Sequence, residues 1–457
     1  MQMVGKRWII AVYAGVCVTG SLVYEASVLA GHERQGDPQR GRAALLERAY
    51  LPAAWSEQAY QNVWKIWGLK EKPANFEALF RERYGLHPAP YPNDGLPMGL
   101  RYTRGLLGRG ITNDCLLCHA SSLFGQSIIG LGNASLDMQA LYEELFAAEG
   151  IRRIVPFPFT QVRGTTEGAS MAVYLLRFRD EELRIIPPQD FPITPSMCED
   201  APAWWLLKKK KTMYHTGSTD ARSVRSLMQF VLTPLNGPEY IQSLESTFAD
   251  IQAFILSLEP PRYPFEIDRA LAAKGQALFE KHCARCHGTY GPRGVYPNRV
   301  IPLEEIGTDP LRAKGIPEAA KRHYVRSWFG RERDASGQPM ILRDEIGYQA
   351  PPLDGIWATA PYFHNGSVPT VYHVLNSKAR PKIFTRSYLT RVEDYDPVRL
   401  GWKFRELDRA PGPEVPAIER RKVYDTSQPG RSNAGHTYGD QLTDAERFAI
   451  IEYLKSL

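Results

Sequence analysis

Cys115-Leu116-Leu117-Cys118-His119 and Cys283-Ala284-Arg285-Cys286-His287 are two copies of one pattern, Cys-x-x-Cys-His. Two cysteines three apart reach the two vinyl groups of one porphyrin and form thioethers. The histidine that follows then falls on the iron as its proximal ligand. At this cysteine and histidine content one copy arises by chance with a probability of about two in a thousand. A zinc half-site or a redox dithiol also uses a Cys-x-x-Cys pair, but neither requires histidine next. The pattern therefore predicts two covalently attached heme c groups. Cys115, Cys118, Cys283 and Cys286 are the attachment points, and His119 and His287 are iron ligands.

The rest of the composition is that of an ordinary globular chain: 457 residues, 43% hydrophobic, 23% charged, with a formal charge of +6. Nothing in it points to nucleic acid. The one dense basic run, Lys208-Lys209-Lys210-Lys211, reads as a solvated loop, with an anion or an acidic redox partner as its functional alternative. Lys6 and Arg7 precede the apolar stretch Trp8 to Tyr24, and Val28-Leu29-Ala30 follows with small residues at −3 and −1. Residues 1–30 are thus expected to be a signal peptide cleaved after Ala30, or a retained N-terminal membrane anchor. Either places the chain in the periplasm or another extracytoplasmic space, where heme c is attached. Cys17 lies in that segment and Cys198 is left alone, so no structural disulfide is expected.

Asp268 to Lys281 reads as a helix leading into Cys283, with Gly275 suited to a close helix crossing and Phe279 placed to pack on Tyr453. Thr443-Asp444-Ala445-Glu446 is a capping box that opens a closing helix. That helix has an internal copy: residues 251–258, IQAFILSL, parallel residues 450–457, IIEYLKSL. The proline-rich run 259–264 follows the first copy. The expected fold is mainly α, two tandem cytochrome c-like heme domains with long loops. They span residues 31–262 and 263–457.

The sixth iron ligand separates an electron carrier from an enzyme. His436, in the glycine-rich run 433–439 before the closing helix, is nominated for the second heme, with Met340 as the alternative. For the first heme no ligand is obvious. Met138 is the best methionine, and an open site is the competing reading.

Residues 351–367, PPLDGIWATAPYFHNGS, resemble a signature of the bacterial di-heme cytochrome c peroxidases. That superfamily includes the methylamine dehydrogenase maturation enzyme and the heme-type rubber oxygenase, whose branch is the most similar in the longer segment. The resemblance spans about residues 100 to 457 and is strongest in the C-terminal half. It implies a distal ligand just before the last helix, methionine in the peroxidases and histidine in the rubber oxygenase, where this chain has His436. It also implies an aromatic residue, usually tryptophan, between the hemes. The local match is Met213-Tyr214-His215-Thr216-Gly217, so Tyr214 or His215 stands at that position, with Trp204 and Trp205 close in sequence. His364 belongs to the signature and reads as a heme-edge residue, not a ligand.

The expected function is an exported di-heme c-type oxidoreductase, peroxidase-like, with peroxide or dioxygen chemistry at the N-terminal heme and electron relay through the C-terminal one. Tyr214 and His215 are the catalytic candidates. A small cytochrome or a cupredoxin would be the electron-transfer partner. The alternative is a non-enzymatic di-heme electron-transfer cytochrome.

Overall fold

The computed structural model describes residues 36–105, 108–151, 157–340 and 346–457. The export segment 1–30 and Cys17 lie outside the described residues. Among the described residues no helix is long and apolar enough to cross a membrane.

Two helix pairs organise the chain, and they are built alike. In the first, the helix Pro38–Glu47 crosses the helix Glu245–Ser257; in the second, Arg269–His282 crosses Asp444–Leu454. Both opening helices start on an aspartate cap. Asp37 accepts from the backbone N–H of Gln39 and Arg40, and Asp268 from those of Ala270 and Leu271. Both crossings are set by a glycine. A Cβ on Gly41 would overlap the carbonyl oxygen of Asp250, and one on Gly275 that of Ala449. Those partners are equivalent positions of the repeated segment, one residue before Ile251 and Ile450. The expected capping box forms at Thr443 and Glu446, and Phe279 packs on Tyr453 with ring centroids 5.4 Å apart.

The expectation of a mainly α chain is overturned. The described residues are 36% helical and 13% strand, a mixed α/β content. Strand Gly108–Asn113 is the centre of a three-stranded antiparallel sheet, paired with Trp55–Ser56 and Leu100–Gly105. Ile383–Arg386 is the centre of another, between Phe404–Glu406 and Val423–Asp425. A hairpin, Ala120–Leu123 with Gln126–Ile129, follows the first motif directly. These strands are two to six residues long, too short to show a two-residue alternation in the sequence.

The second sheet and its flanks tie the two halves together. Arg421 pairs with the fully buried Asp137 at 2.9 Å, Phe124 N–H donates to the Thr390 carbonyl at 2.9 Å, and Arg386 donates to the Ala134 carbonyl.

Candidate functional site

Each Cys-x-x-Cys-His motif winds into one helical turn, with the histidine N–H donating to the carbonyl of the first cysteine at 3.1 Å in both copies. The first turn is started by Asp114, which accepts from Leu116 N–H at 2.8 Å. Asp114 is held in turn by the buried Arg101 at 2.9 Å, whose guanidinium also donates to the Leu46 carbonyl on the opening helix. The second turn grows out of the Arg269–His282 helix through Cys283 N–H to Phe279 O at 2.8 Å.

The two imidazoles are posed alike. His119 Nδ1 lies 3.3 Å from the Pro202 carbonyl and His287 Nδ1 lies 2.8 Å from the Pro351 carbonyl. A carbonyl can only accept, so Nδ1 carries the proton and Nε2 is left as the free lone pair, the arrangement a metal-binding histidine needs. Burial lowers both pKa values, that of His119 to about 4, so both rings are neutral at pH 7. Burial also pushes the thiols of Cys115, Cys118 and Cys283 up to about 12. A redox dithiol would show the opposite shift.

Both motifs open into one cavity of about 1650 Å³. A site for a single small ligand spans about 300–1,000 Å³, so this volume is scaled to something larger. His436 faces His287 across it, with ring centroids 6.2 Å apart and planes at 57°. An iron held about 2.0–2.1 Å from each of two imidazole nitrogens would put the centroids at most about 6.5 Å apart, and closer where the rings tilt. The residues therefore fit a heme between His287 and His436. Met340, the alternative ligand, does not line the cavity.

His436 owes its position to a strained loop. It sits at φ +46°, after Gly435 at φ +75° packed directly on Gly307. Its N–H donates to the Ile306 carbonyl at 2.7 Å, and Arg380 donates to the carbonyls of Gly435 and His436 at 2.7 and 3.1 Å. The 351–367 segment braces the same loop. Asn365 Nδ2 donates to the Gly430 and Ser432 carbonyls, Ser367 Oγ donates to the Ser432 carbonyl, and Phe363 packs on His436 at 5.9 Å.

The first motif has different surroundings. The ring against His119 is Trp204, stacked at 4.8 Å and 21°. Met138 lies on the cavity wall but is 6% exposed and packed in an apolar cluster with Leu117 and Leu141. Tyr214 and His215 both line the cavity. His215 Nε2 donates to the Asp200 carbonyl at 2.7 Å, and burial lowers its pKa to about 4. Tyr214, at φ +65°, donates its hydroxyl to the Ser226 carbonyl at 3.0 Å and accepts from Gln229 Nε2 at 2.8 Å. His364 stacks on Tyr348 at 4.0 Å with Nε2 buried and unpartnered, at the cavity edge. Sequence reasoning missed Trp204 as the partner of His119, and it missed Gln229.

Glu167 lies beside this cavity, 1% exposed, with neither carboxylate oxygen hydrogen-bonded. Burial first, then the Glu199 carboxylate, pushes its pKa to about 8 from the ordinary 4.5. The folded chain thus holds this proton more tightly than the unfolded chain. Its contribution to stability is full below pH about 4.5 and is lost as pH rises through 8. Glu167→Gln removes that loss, with a gain of up to about 3 kcal/mol at pH 7. Denaturant midpoints of both proteins at pH 5 and pH 8 should therefore diverge; parallel midpoints would refute it.

Residues 347–385 match the family described as RoxA-like, cytochrome c-like, which brings heme c with it. The match supports a heme cytochrome oxidoreductase in general terms, with its evidence confined to this region. It is also similar to two uncharacterized proteins of Sinorhizobium fredii. It is 30% identical to y4iM over 293 residues, 56% of this chain and 64% of that protein. It is 30% identical to y4iJ over 264 residues, 44% of this chain and 41% of that protein. The chain spans less than two thirds of either relative.

Proposed function

We propose that this chain is an exported di-heme c-type oxidoreductase in which the two hemes have unequal tasks. Cys115, Cys118 and His119 would hold one heme, and Cys283, Cys286, His287 and His436 the other. The chain divides near residue 262 into one module for each. The observation that carries the reading is the asymmetry of the two imidazoles: His287 faces a second imidazole at 6.2 Å, whereas the ring against His119 is Trp204.

Heme supplies the binding of peroxide or dioxygen and the one-electron steps. The chain's own part is to fill or leave the sixth position and to manage protons. On the C-terminal side His287 and His436 would both hold the iron, which suits relay. On the N-terminal side, Tyr214 and Gln229 put a phenol and an amide on the cavity wall, locked to each other and to the Ser226 carbonyl, so a donor toward an O–O bond would require this network to rearrange. His215, neutral and fixed by Asp200, holds its Nδ1 lone pair as an acceptor. Electrons would come from a small cytochrome or a cupredoxin.

The test is spectroscopic and uses the matured full chain. Two hemes per chain are expected by pyridine hemochrome, one low-spin and one high-spin in the ferric state. The reduced protein should bind one carbon monoxide per chain, and turnover should consume peroxide or dioxygen. Two low-spin hemes inert to peroxide, dioxygen and carbon monoxide would instead mark a plain electron carrier.

A further inference from the structure

The four-lysine run meets a second basic segment at the surface beside His287. Residues 288–302, GTYGPRGVYPNRVIP, contain Arg293 and Arg299 and no acid. The backbone N–H groups of Lys211 and Thr212 donate to Asn298 Oδ1 at 2.7 and 3.3 Å, so the two segments lie side by side. Lys209 reaches over the Tyr290 ring, 5.0 Å from its centroid, and pairs with Asp354 at 2.6 Å. Lys211 and Arg293 are exposed, and neither has an ion-pair partner among the described residues.

This surface lies one residue layer from an imidazole of the candidate site. His287 lines the large cavity and also a second one of about 150 Å³, shared with Lys209, Tyr290, Tyr296 and Gly294. Lys209 and Gly294 are exposed, so the second cavity reaches the surface, but it is too small for an organic substrate. Pro351, whose carbonyl takes the His287 Nδ1 proton, is itself exposed, and the Tyr290 hydroxyl donates to the His287 carbonyl at 3.0 Å. The loop above is a fixed knob. Thr289 N–H donates to the Val295 carbonyl at 3.0 Å, Val295 N–H to Thr289 Oγ1 at 3.1 Å, and Gly294 N–H to the Gly291 carbonyl at 2.9 Å. Val295 stands on it 68% exposed and lines neither cavity. An apolar point among uncompensated cations is complementary to a protein face that is acidic around an apolar centre.

We propose that the 289–295 knob, with Lys209, Lys211 and Arg293 around Val295, is the docking face for a small acidic redox protein, and that electrons pass between that protein and the C-terminal heme through His287. This rests on the two-heme reading but not on peroxide or dioxygen chemistry. In the direction of reduction the partner loses one electron and the iron held by His287 passes from ferric to ferrous. No bond forms or breaks, so the face has only to bring the partner close and hold it briefly. Charge sets the rate of encounter, and Val295 supplies the apolar contact.

The experiment mixes the reduced, matured full chain with oxidised plastocyanin, an acidic probe, or with oxidised mitochondrial cytochrome c, a basic one, and follows heme oxidation by stopped flow. The plastocyanin rate should fall as salt rises. In the double variant Lys211→Glu, Arg293→Glu it should fall about tenfold at low salt, while the cytochrome c rate rises. Val295→Ser should slow the plastocyanin reaction at high salt as well, where charge steering is screened. Heme content and spectra should match the wild type in every variant, and Lys70→Glu, a reversal elsewhere on the surface, should leave both rates unchanged. An unchanged plastocyanin rate in the double variant overturns the proposal. Equal slowing of both probes overturns it too, because the damage would then lie at the heme and not at a docking face. Absence of heme from the wild-type chain would instead defeat the two-heme reading.

Discussion

With the two hemes proposed for this chain, replacing His436 by alanine should convert one of them from low-spin to high-spin without releasing it. His287 and His436 face each other at the spacing a doubly ligated iron requires. The attachment cysteines and the proximal histidine are untouched by the change, so heme content stays constant. The loop carrying residue 436 remains clamped by Arg380 and braced by Asn365 and Ser367, so no other side chain is drawn into the vacated position. The reduced variant should therefore bind two carbon monoxide molecules per chain where the wild type binds one. Met340→Leu should change neither spectrum nor stoichiometry, since Met340 is not on the cavity wall. A His436→Ala protein that keeps its low-spin spectrum would remove His436 from the iron.

How much of this was readable in advance depends on how local each feature is. The Cys-x-x-Cys-His turns, the Asp268 cap, the Thr443–Glu446 box and the Gly275 crossing are written in runs of a few residues, and each appears where the sequence places it. His436 was legible because a glycine-rich run before a closing helix is one of few ways to present a ligand to a far face. The strands were not legible. Strands such as Trp55–Ser56 are two residues long and exist only because a distant partner, Gly110 and Ile111, pairs with them. That Lys210 lines the cavity while Lys208 and Lys209 pair with Glu259 and Asp354 was equally hidden, since a lysine run looks the same whichever member the backbone directs inward. Trp204 became the neighbour of His119 through a contact 85 positions away in the chain, beyond the reach of any local pattern.

The largest structural effect should come from Gly275→Ala. The helix Arg269–His282 crosses Asp444–Leu454 so closely that a Cβ at residue 275 would overlap backbone, the carbonyl oxygen of Ala449. Backbone cannot rotate aside as a side chain can, so the two helices must separate along their whole contact. Alanine gains about 1 kcal/mol over glycine in a helix interior, and overpacking costs of about 1–3 kcal/mol are usual where side chains can adjust. Here they cannot, and a net loss of at least about 3 kcal/mol is expected. Gly41→Ala meets the same obstacle at the Asp250 carbonyl and should cost a similar amount. Gln276→Ala, one residue along on the exposed side of the same helix, should stay within about 0.5 kcal/mol. Denaturant titrations followed by circular dichroism and by heme absorbance measure all three. Equal losses at residues 41 and 275 would mean that the two helix crossings carry equal structural weight. A tolerated Gly275→Ala would mean that the crossing can widen, and that the cofactor rather than the helix pair holds this half together.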